Sequence, residues 1–254
     1  MSPRIRCSLM IALLFAGGYV GENAAAEAPR NVLLITSDDL GLQLSCYGDK
    51  VIQTPQLDAL AASGVQFEVA YVAQASCSPS RSAMFTGTFP HTNGQIGLAN
   101  RSFAMHKEFH TRTLPHYLQQ AGYRTGIIGK LHVAPEAKFP FDFRPRVNTR
   151  IVRDVAKQAN AFLSAESDKP FFLMVNFSDP HAYRTSRQSS DWYFPAQIDG
   201  LPKDPLQPGD APAWPFQGID TDEQLRKVAN YYNCVKRLDD GVGMVLALLE
   251  KHNL

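Results

Sequence analysis

Net charge is nearly missing from this chain: 25 lysines and arginines face 24 aspartates and glutamates across 254 residues. Without a long-range field of either sign, neither nucleic acid nor an anionic membrane surface is an expected partner. Any anionic ligand must be caught by local groups. Internal repeats and low-complexity tracts are also absent. The apolar run from Leu9 to Val20 is too short to span a bilayer comfortably. Cysteine is scarce, with four in all: Cys7, Cys46, Cys77 and Cys234. The rest is ordinary for a globular protein, 44% hydrophobic and 19% charged, at a length suiting one large domain or two small ones.

Residues 1–26 read as a secretory signal peptide. Arg4 and Arg6 precede the apolar run, and Ala24-Ala25-Ala26 supplies small residues for cleavage. The mature chain, 27–254, is then exported to a periplasmic, secreted or lysosome-like compartment and keeps no membrane span. Cys7 leaves with the leader. Three cysteines remain, an odd number for an oxidising compartment, which marks one as reactive or free. Cys46 and Cys234 either pair or sit as two buried thiols.

Strand and helix signals alternate along the rest. Asn31 to Thr36 is a short apolar run ending in Ser37-Asp38-Asp39, suited to a central parallel strand covered on both faces. Thr54 to Gly64 reads as one small helix, with Thr54 as N-cap, Pro55 in the first turn and Gly64 as the stop. Val65, Phe67, Val69 and Tyr71 alternate with smaller or polar residues, which predicts a strand leading toward Cys77. Thr113-Leu114-Pro115 opens a helix that Gly122 closes, and Tyr123 to Gly129 is the next strand. A helix over 152–164 and a buried strand over 171–177 follow, the strand ending in Ser178-Asp179-Pro180-His181. A long helix starts at Thr221, where Gln224 can complete a capping box, and runs toward Leu249. Between Tyr193 and Gly218 six prolines leave no period of either kind, so the chain makes an irregular excursion over the surface. The alternation predicts an α/β layered domain with a mostly parallel central sheet flanked by helices.

In open sheets of this kind, ligands bind beyond the carboxyl ends of the strands. Asp38-Asp39, Lys130 with His132, and His181 all stand at such ends, and the Cys77 segment follows the strand predicted from Val65. Two adjacent carboxylates beside an apolar sheet repel each other unless a cation holds them, and hard oxygen donors favour Ca²⁺ or Mg²⁺. Taken alone, the pair reads equally well as a solvated turn with Asp39 capping a helix. Cys77-Ser78-Pro79-Ser80-Arg81 carries the strongest signal. Pro79 suits the first turn of a helix, which puts Cys77 at its N-terminus, where amides and dipole attract an anion. Arg81 adds a forked donor matched to sulfate or phosphate. A buried cysteine before a capped helix would account for the proline but not for the arginine. Lys130, His132 and His181, each taken singly, read as a solvated strand-end charge and two structural imidazoles.

Cys77-Ser78-Pro79-Ser80-Arg81, followed by Thr86-Gly87, resembles the signature of the formylglycine-dependent sulfatases, in the alkaline phosphatase superfamily. Phe85 departs from it, where Leu is usual. Asn31 to Asp39 resembles the family's first metal-binding strand, Gly122 to His132 its Lys-x-His segment, Phe171 to His181 a later strand with a sulfate-binding histidine, and Tyr231 to Gly243 the long helix after it. His132-Val133-Ala134-Pro135-Glu136, Phe139 to Phe143 and Asp179-Pro180-His181 are most similar to the branch acting on N-sulfated glucosamine. The resemblance implies an alkaline-phosphatase-like fold and a sulfated carbohydrate substrate, with sulfate lost from an ester or a sulfamate. It implies a formylglycine-generating enzyme that oxidises Cys77. One hydroxyl of the hydrated aldehyde then attacks sulfur, and the other expels sulfate.

By the same resemblance Asp38 and Asp39, with the modified Cys77, hold Ca²⁺, and Arg81 steadies the formylglycine and the metal. Lys130 binds sulfate, His132 orients or deprotonates the hydrate, and His181 protonates the leaving group or binds sulfate. The family pattern also places two further metal ligands on a strand beyond Leu254, and a smaller C-terminal domain after it, so residues 27–254 are expected to be an incomplete catalytic domain. Two other readings stay open: a phosphate or phosphonate monoester hydrolase of the same superfamily, and an inactive binder of sulfated glycans.

Overall fold

In the computed structural model, which describes residues 29–184, 186 and 188–254, three strands align in parallel. They are β1 (Val32–Asp38), β2 (Arg124–Ile128) and β3 (Phe171–Pro180), in the order β1-β3-β2, so the last in sequence lies at the centre. β1, expected as a covered central strand, pairs with β3 alone and is only half-buried, because no further strand among the described residues flanks it. Among the described residues six α-helices accompany them: α1 (Pro55–Ser63), α2 (Cys77–Thr86), α3 (Pro90–Asn93), α4 (Leu114–Gln120), α5 (Val152–Leu163) and α6 (Asp222–Lys251). None is long and apolar enough to cross a membrane. The leader read over 1–26, Cys7 included, lies outside the described residues.

The two-residue period of β3 sorts the core into layers. Phe171, Leu173, Val175 and Phe177 face α5 and α6, meeting Val155, Phe162, Leu238 and Val242. Phe172 and Met174 face the other way, onto Phe85 of α2 with Ile127, Leu131 and Phe139. Helices therefore cover both faces, as a central parallel strand requires. In α5 the buried positions Val152, Val155, Ala159, Phe162 and Leu163 recur at helical spacing, which turns one stripe to the sheet.

Helix ends depart from expectation in instructive ways. Thr54 stands at the N-cap of α1, but its hydroxyl accepts from Ser45 N at 3.0 Å and donates to Asp58 Oδ1 at 3.1 Å. The cap comes instead from Asp239 of α6, whose carboxylate accepts from the amides of Gln56 (3.2 Å) and Leu57 (2.8 Å). At α6 half of the capping box forms: Gln224 N donates to Thr221 Oγ1 at 3.4 Å, while the Gln224 side chain turns away to Gln217.

The strand expected from Val65 to Tyr71 does not form. Val65 and Tyr71 are 83% and 92% exposed, and no strand among the described residues runs alongside them. Alternation alone cannot hold a strand, because its amides and carbonyls need a neighbouring ladder. The irregular excursion over 193–218 is also less superficial than expected. Leu201 and Ala211 are buried, and Trp214 and Phe194 pack on Tyr231 of α6.

One buried charge cluster ties α6 to the sheet. Asp179, near the end of β3, receives Arg237 Nε on Oδ2 at 2.7 Å and Arg150 Nη1 on Oδ1 at 2.8 Å. Arg237 is fully buried and Asp179 nearly so. Arg237→Met would leave that carboxylate short of a cation in the interior, and should lower unfolding free energy by about 3–5 kcal/mol in urea titrations. A loss below about 1 kcal/mol would mean that Arg150 alone satisfies Asp179.

Candidate active site

The sheet's alternation aims a set of polar groups at α2. Leu34 of β1 and Met174 of β3 belong to the layer on that side, so Thr36, Asp38 and Asn176, two or four residues on, face the same way. Arg81, on the first turns of α2 and 6% exposed, reaches all three strand ends. Its Nη2 donates to Asp38 Oδ1 at 2.7 Å; its Nη1 donates to Asn176 Oδ1 at 2.8 Å and to the Lys130 carbonyl at 2.6 Å. Thr36 Oγ1 also donates to Asn176 Oδ1, and Asn176 Nδ2 donates to the Ile128 carbonyl.

Lys130 follows Gly129, whose φ of +97° and close neighbours admit no side chain. A Cβ there would fall 2.6 Å from Thr149 Cγ2 and 2.7 Å from the Asn176 carbonyl. From that turn Lys130 Nζ donates to Asp38 Oδ2 at 2.5 Å. Burial pushes the Asp38 carboxyl up, but Arg81 and Lys130 beside it outweigh burial and hold it below the usual carboxylate range. The Arg81 fork expected to meet an anion is thus committed to protein acceptors, because a buried guanidinium must be paired. Lys130, expected at the sulfate, keeps two N–H donors after serving Asp38.

Cys77 opens α2 and is partly buried. The imidazoles of His132 and His181 beside it draw its thiol down to about 6, against burial, which opposes ionisation. His181 Nδ1 lies 2.6 Å from the Ala182 carbonyl. A carbonyl only accepts, so Nδ1 carries the proton and Nε2 is left to face the cleft. Nε2 stands 3.7 Å from Asp39 Oδ2, and the nearby Cys77 raises the histidine's pKa. Arg150 Nη2 donates to the His181 carbonyl at 2.7 Å and so fixes the loop that carries it. His132 Nδ1 is buried without a hydrogen-bond partner among the described residues. Asp39 and His132 both adopt left-handed backbone, at φ 62° and 50°; non-glycine residues held there concentrate at functional sites. Tyr231 of α6 supports Asp39 from behind, its hydroxyl donating to the Asp39 carbonyl and accepting from Gly41 N at 3.0 Å.

The result is an open cleft of about 780 Å³ onto which Asp38, Asp39, Cys77, Arg81, Met84 and His181 face. Lys130 lines a neighbouring cavity and reaches Asp38, and the His132 imidazole lies beside Cys77. All seven residues singled out in the sequence gather in one place. Asn176, Arg150 and Tyr231 were not singled out, although Asn176 and Tyr231 lie inside segments that carried the resemblance; Arg150 gave no signal at all. Cys46, Cys77 and Cys234 are all free.

The donor chemistry of Asp38 and Asp39 suits a hard cation, but two carboxylates supply only part of the six to eight oxygens Ca²⁺ takes. Both Asp38 oxygens are already engaged, and no group of three or more His, Cys, Asp or Glu among the described residues is arranged to hold a metal. The fit is therefore partial.

The site thus sets a cysteine at a helix N-terminus, flanked by two imidazoles, beyond the carboxyl ends of a parallel sheet whose strand ends one arginine gathers. A model of the sulfatase family matches residues 30–254, and the chain belongs to that family. Human N-sulphoglucosamine sulphohydrolase is 37% identical over 243 residues, covering 86% of this chain and 46% of the relative. The ulvan-active sulfatase of Formosa agariphila is 31% identical over 164 residues, covering 63% of this chain and 32% of the relative. The chain thus spans less than half the length of these relatives. Among solved structures, Ps i-CgsB in complex with k-i-k-neocarrahexaose superposes with a TM-score of 0.63 at 25% identity, covering 88% of this chain and 55% of that one. A protein solved with its substrate D-glucosamine-2-N,6-O-disulfate gives 0.63 at 22% identity, covering 88% and 63%, a likeness of fold. The layered sheet is the alkaline-phosphatase-like architecture.

The thiols provide a direct check. In unconverted, metal-free protein, iodoacetamide should label Cys77 with a midpoint near pH 6. Cys234, pushed up to about 12 by burial, should stay unlabelled. Replacing His132 and His181 together by alanine should move the Cys77 midpoint toward the ordinary value of about 8.5. Peptide mass spectrometry reads both outcomes, and an unmoved midpoint would remove the imidazoles as its cause.

Proposed function

We propose that this chain bears the nucleophile of a sulfohydrolase that removes sulfate from a sulfated sugar, with Cys77 as the precursor of formylglycine. The observation carrying this reading is the position of Cys77, between two imidazoles in a cleft whose wall is the Asp38–Arg81–Lys130 cluster. Membership of the sulfatase family supports the reaction class, and the likeness to human N-sulphoglucosamine sulphohydrolase supports an N-sulfated amino sugar as the substrate.

Formylglycine, once made by a separate enzyme, supplies a hydrated aldehyde with one hydroxyl to attack sulfur and a second to release sulfate. A divalent cation on Asp38 and Asp39, Ca²⁺ or Mg²⁺, would polarise a sulfate oxygen; further ligands must complete its shell. The chain's own residues do the rest. Lys130 offers its two remaining N–H donors to sulfate oxygens. His132 takes the proton of the attacking hydroxyl, and His181, held by its Nδ1–H on Ala182, gives a proton from Nε2 to the departing amine or alcohol. Arg81 acts through position: it fixes Asp38, Lys130 and Asn176 rather than touching substrate. An exported location fits the leader read over 1–26.

Three measurements test this. Mass spectrometry of the tryptic peptide containing Cys77, from a host that makes formylglycine, should show conversion; a wholly unmodified thiol favours a non-catalytic glycan binder. Converted protein should release sulfate from N-sulfoglucosamine in preference to phosphate from a monoester, and Cys77→Ser should fall to background. Added Ca²⁺ should raise the unfolding midpoint, by about 2.7 kcal/mol of stability at a hundred times its Kd, and Asp39→Asn should erase the gain. No gain in the unsubstituted protein would reject the cation site.

A further inference from the structure

His181 is shared by two cavities. One is the cleft beside Cys77; the other, of about 420 Å³, is lined by Arg150, His181, Tyr183, Arg184 and Trp192. The loop that forms this second wall is pinned by an antiparallel bridge, Tyr183 N to Tyr193 O at 2.8 Å and Tyr193 N to Tyr183 O at 2.9 Å. Across such a bridge the next opposed pair is Arg184 and Trp192, which accounts for the guanidinium lying 4.6 Å from the indole centroid. Trp192 is 47% exposed and its ring lies 6.1 Å from that of His181. Arg150 spends its donors on Asp179 and the carbonyls of His181 and Ala182. Arg184 makes no ion pair among the described residues. The cavity therefore pairs a half-exposed indole, stacked on one face by Arg184, with a guanidinium that makes no ion pair among the described residues, directly beside the group that serves the leaving atom.

We propose that Trp192 and Arg184 form a subsite for the neighbouring residue of a sulfated oligosaccharide. The indole face packs on the C–H side of that sugar, and Arg184 takes its sulfate or carboxylate. This rests on the sulfohydrolase reading and extends it from one sulfate group to the chain that bears it. Tyr183, the cavity's other aromatic ring, meets Tyr193 edge-on and carries over its face the guanidinium of Arg150, whose donors are spent on protein acceptors. The basic surface on the opposite flank, with Arg144 and Arg146, holds no aromatic ring and ties Arg144 to Glu136 at 2.6 Å.

The chain has only two tryptophans, and Trp214 packs inward on Tyr231, so fluorescence reports on Trp192 with little ambiguity. Cys77→Ala protein, which cannot turn over, is titrated with an N-sulfated tetrasaccharide and with N-sulfoglucosamine. The tetrasaccharide should bind at least tenfold tighter. Trp192→Ala and Arg184→Ser should each remove most of that advantage at an unchanged unfolding midpoint, and Trp192→Phe should keep part of it. Equal affinity for the two ligands overturns the subsite. So does an advantage that survives both substitutions, or one lost only on replacing Arg144 and Arg146 by serine. Polyphosphate binding with the same dependence on Trp192 also overturns it, because the site would then read charge and not sugar. Sulfate release from N-sulfoglucosamine by the unsubstituted, converted protein is scored separately. Its failure with Trp192-dependent binding intact removes the sulfohydrolase reading and leaves the subsite standing.

Discussion

The guanidinium of Arg81 is the constraint on which the site depends. Parallel strands end with carbonyls and side chains that no ladder satisfies, and here the ends of three separate segments converge on one planar cation. Arg81 holds Asp38 from β1, the Lys130 carbonyl after β2 and Asn176 from β3. A lysine could not do this, because a single ammonium lacks the rigid fork that spans three acceptors in fixed directions. At the cleft the Asp39 carboxylate offsets the positive charge left over by Arg81, Lys130 and Asp38, so on this nearly neutral chain an anion is favoured through placed donors, the Lys130 ammonium above all, and not through net charge.

Behind this first clasp stands a second, which reaches the other side of the cleft. Asp179 collects Arg237 from α6 and Arg150, and Arg150 in turn holds the carbonyl of His181. Asp39 is treated similarly, since the Tyr231 hydroxyl accepts from Gly41 and donates to the Asp39 carbonyl. The residues at the cleft sit on backbone that is costly to maintain, with Asp39 and His132 left-handed, and buried partners over-determine it.

Much of this was legible in the sequence, and the failures share a cause. β2 and β3 were readable because their apolar runs meet a requirement, burial on both faces, that the chain itself can satisfy; β1 has the same kind of run but lies half-buried at the sheet edge, a position its composition does not reveal. α5 was readable because its stripe has one period. Val65 to Tyr71 had the right alternation and still formed no strand, because a strand depends on a neighbour that alternation does not specify. Thr54 was a good N-cap by type, yet Asp239 does the capping; local propensity cannot see a carboxylate arriving from 183 positions away. Among site residues, Cys77, Asp38, Asp39, Lys130, His132 and His181 announced themselves by chemistry and position. Arg81 carried two readings, a fork for an anion and a support for the metal-binding end of the site; its contact with Asp38 accords with the second, because whether a guanidinium faces ligand or protein is decided by burial. Arg150 works at a distance through a carbonyl and left no trace.

The reach of α6 has a consequence for the order in which the molecule can be made. Its residues supply the tie behind Asp39, the partner of Asp49 through the Tyr232 hydroxyl, and the cap of α1. Each of those early segments leaves the ribosome about 180 residues ahead of the helix that completes it. At ordinary elongation rates that gap is roughly ten to forty seconds, during which the nascent N-terminal third has apolar faces and no fixed partner. Contacts so distant along the chain also close slowly once available. The early segments therefore stay incompletely satisfied until Asp222–Lys251 arrives, wherever along its route the chain folds.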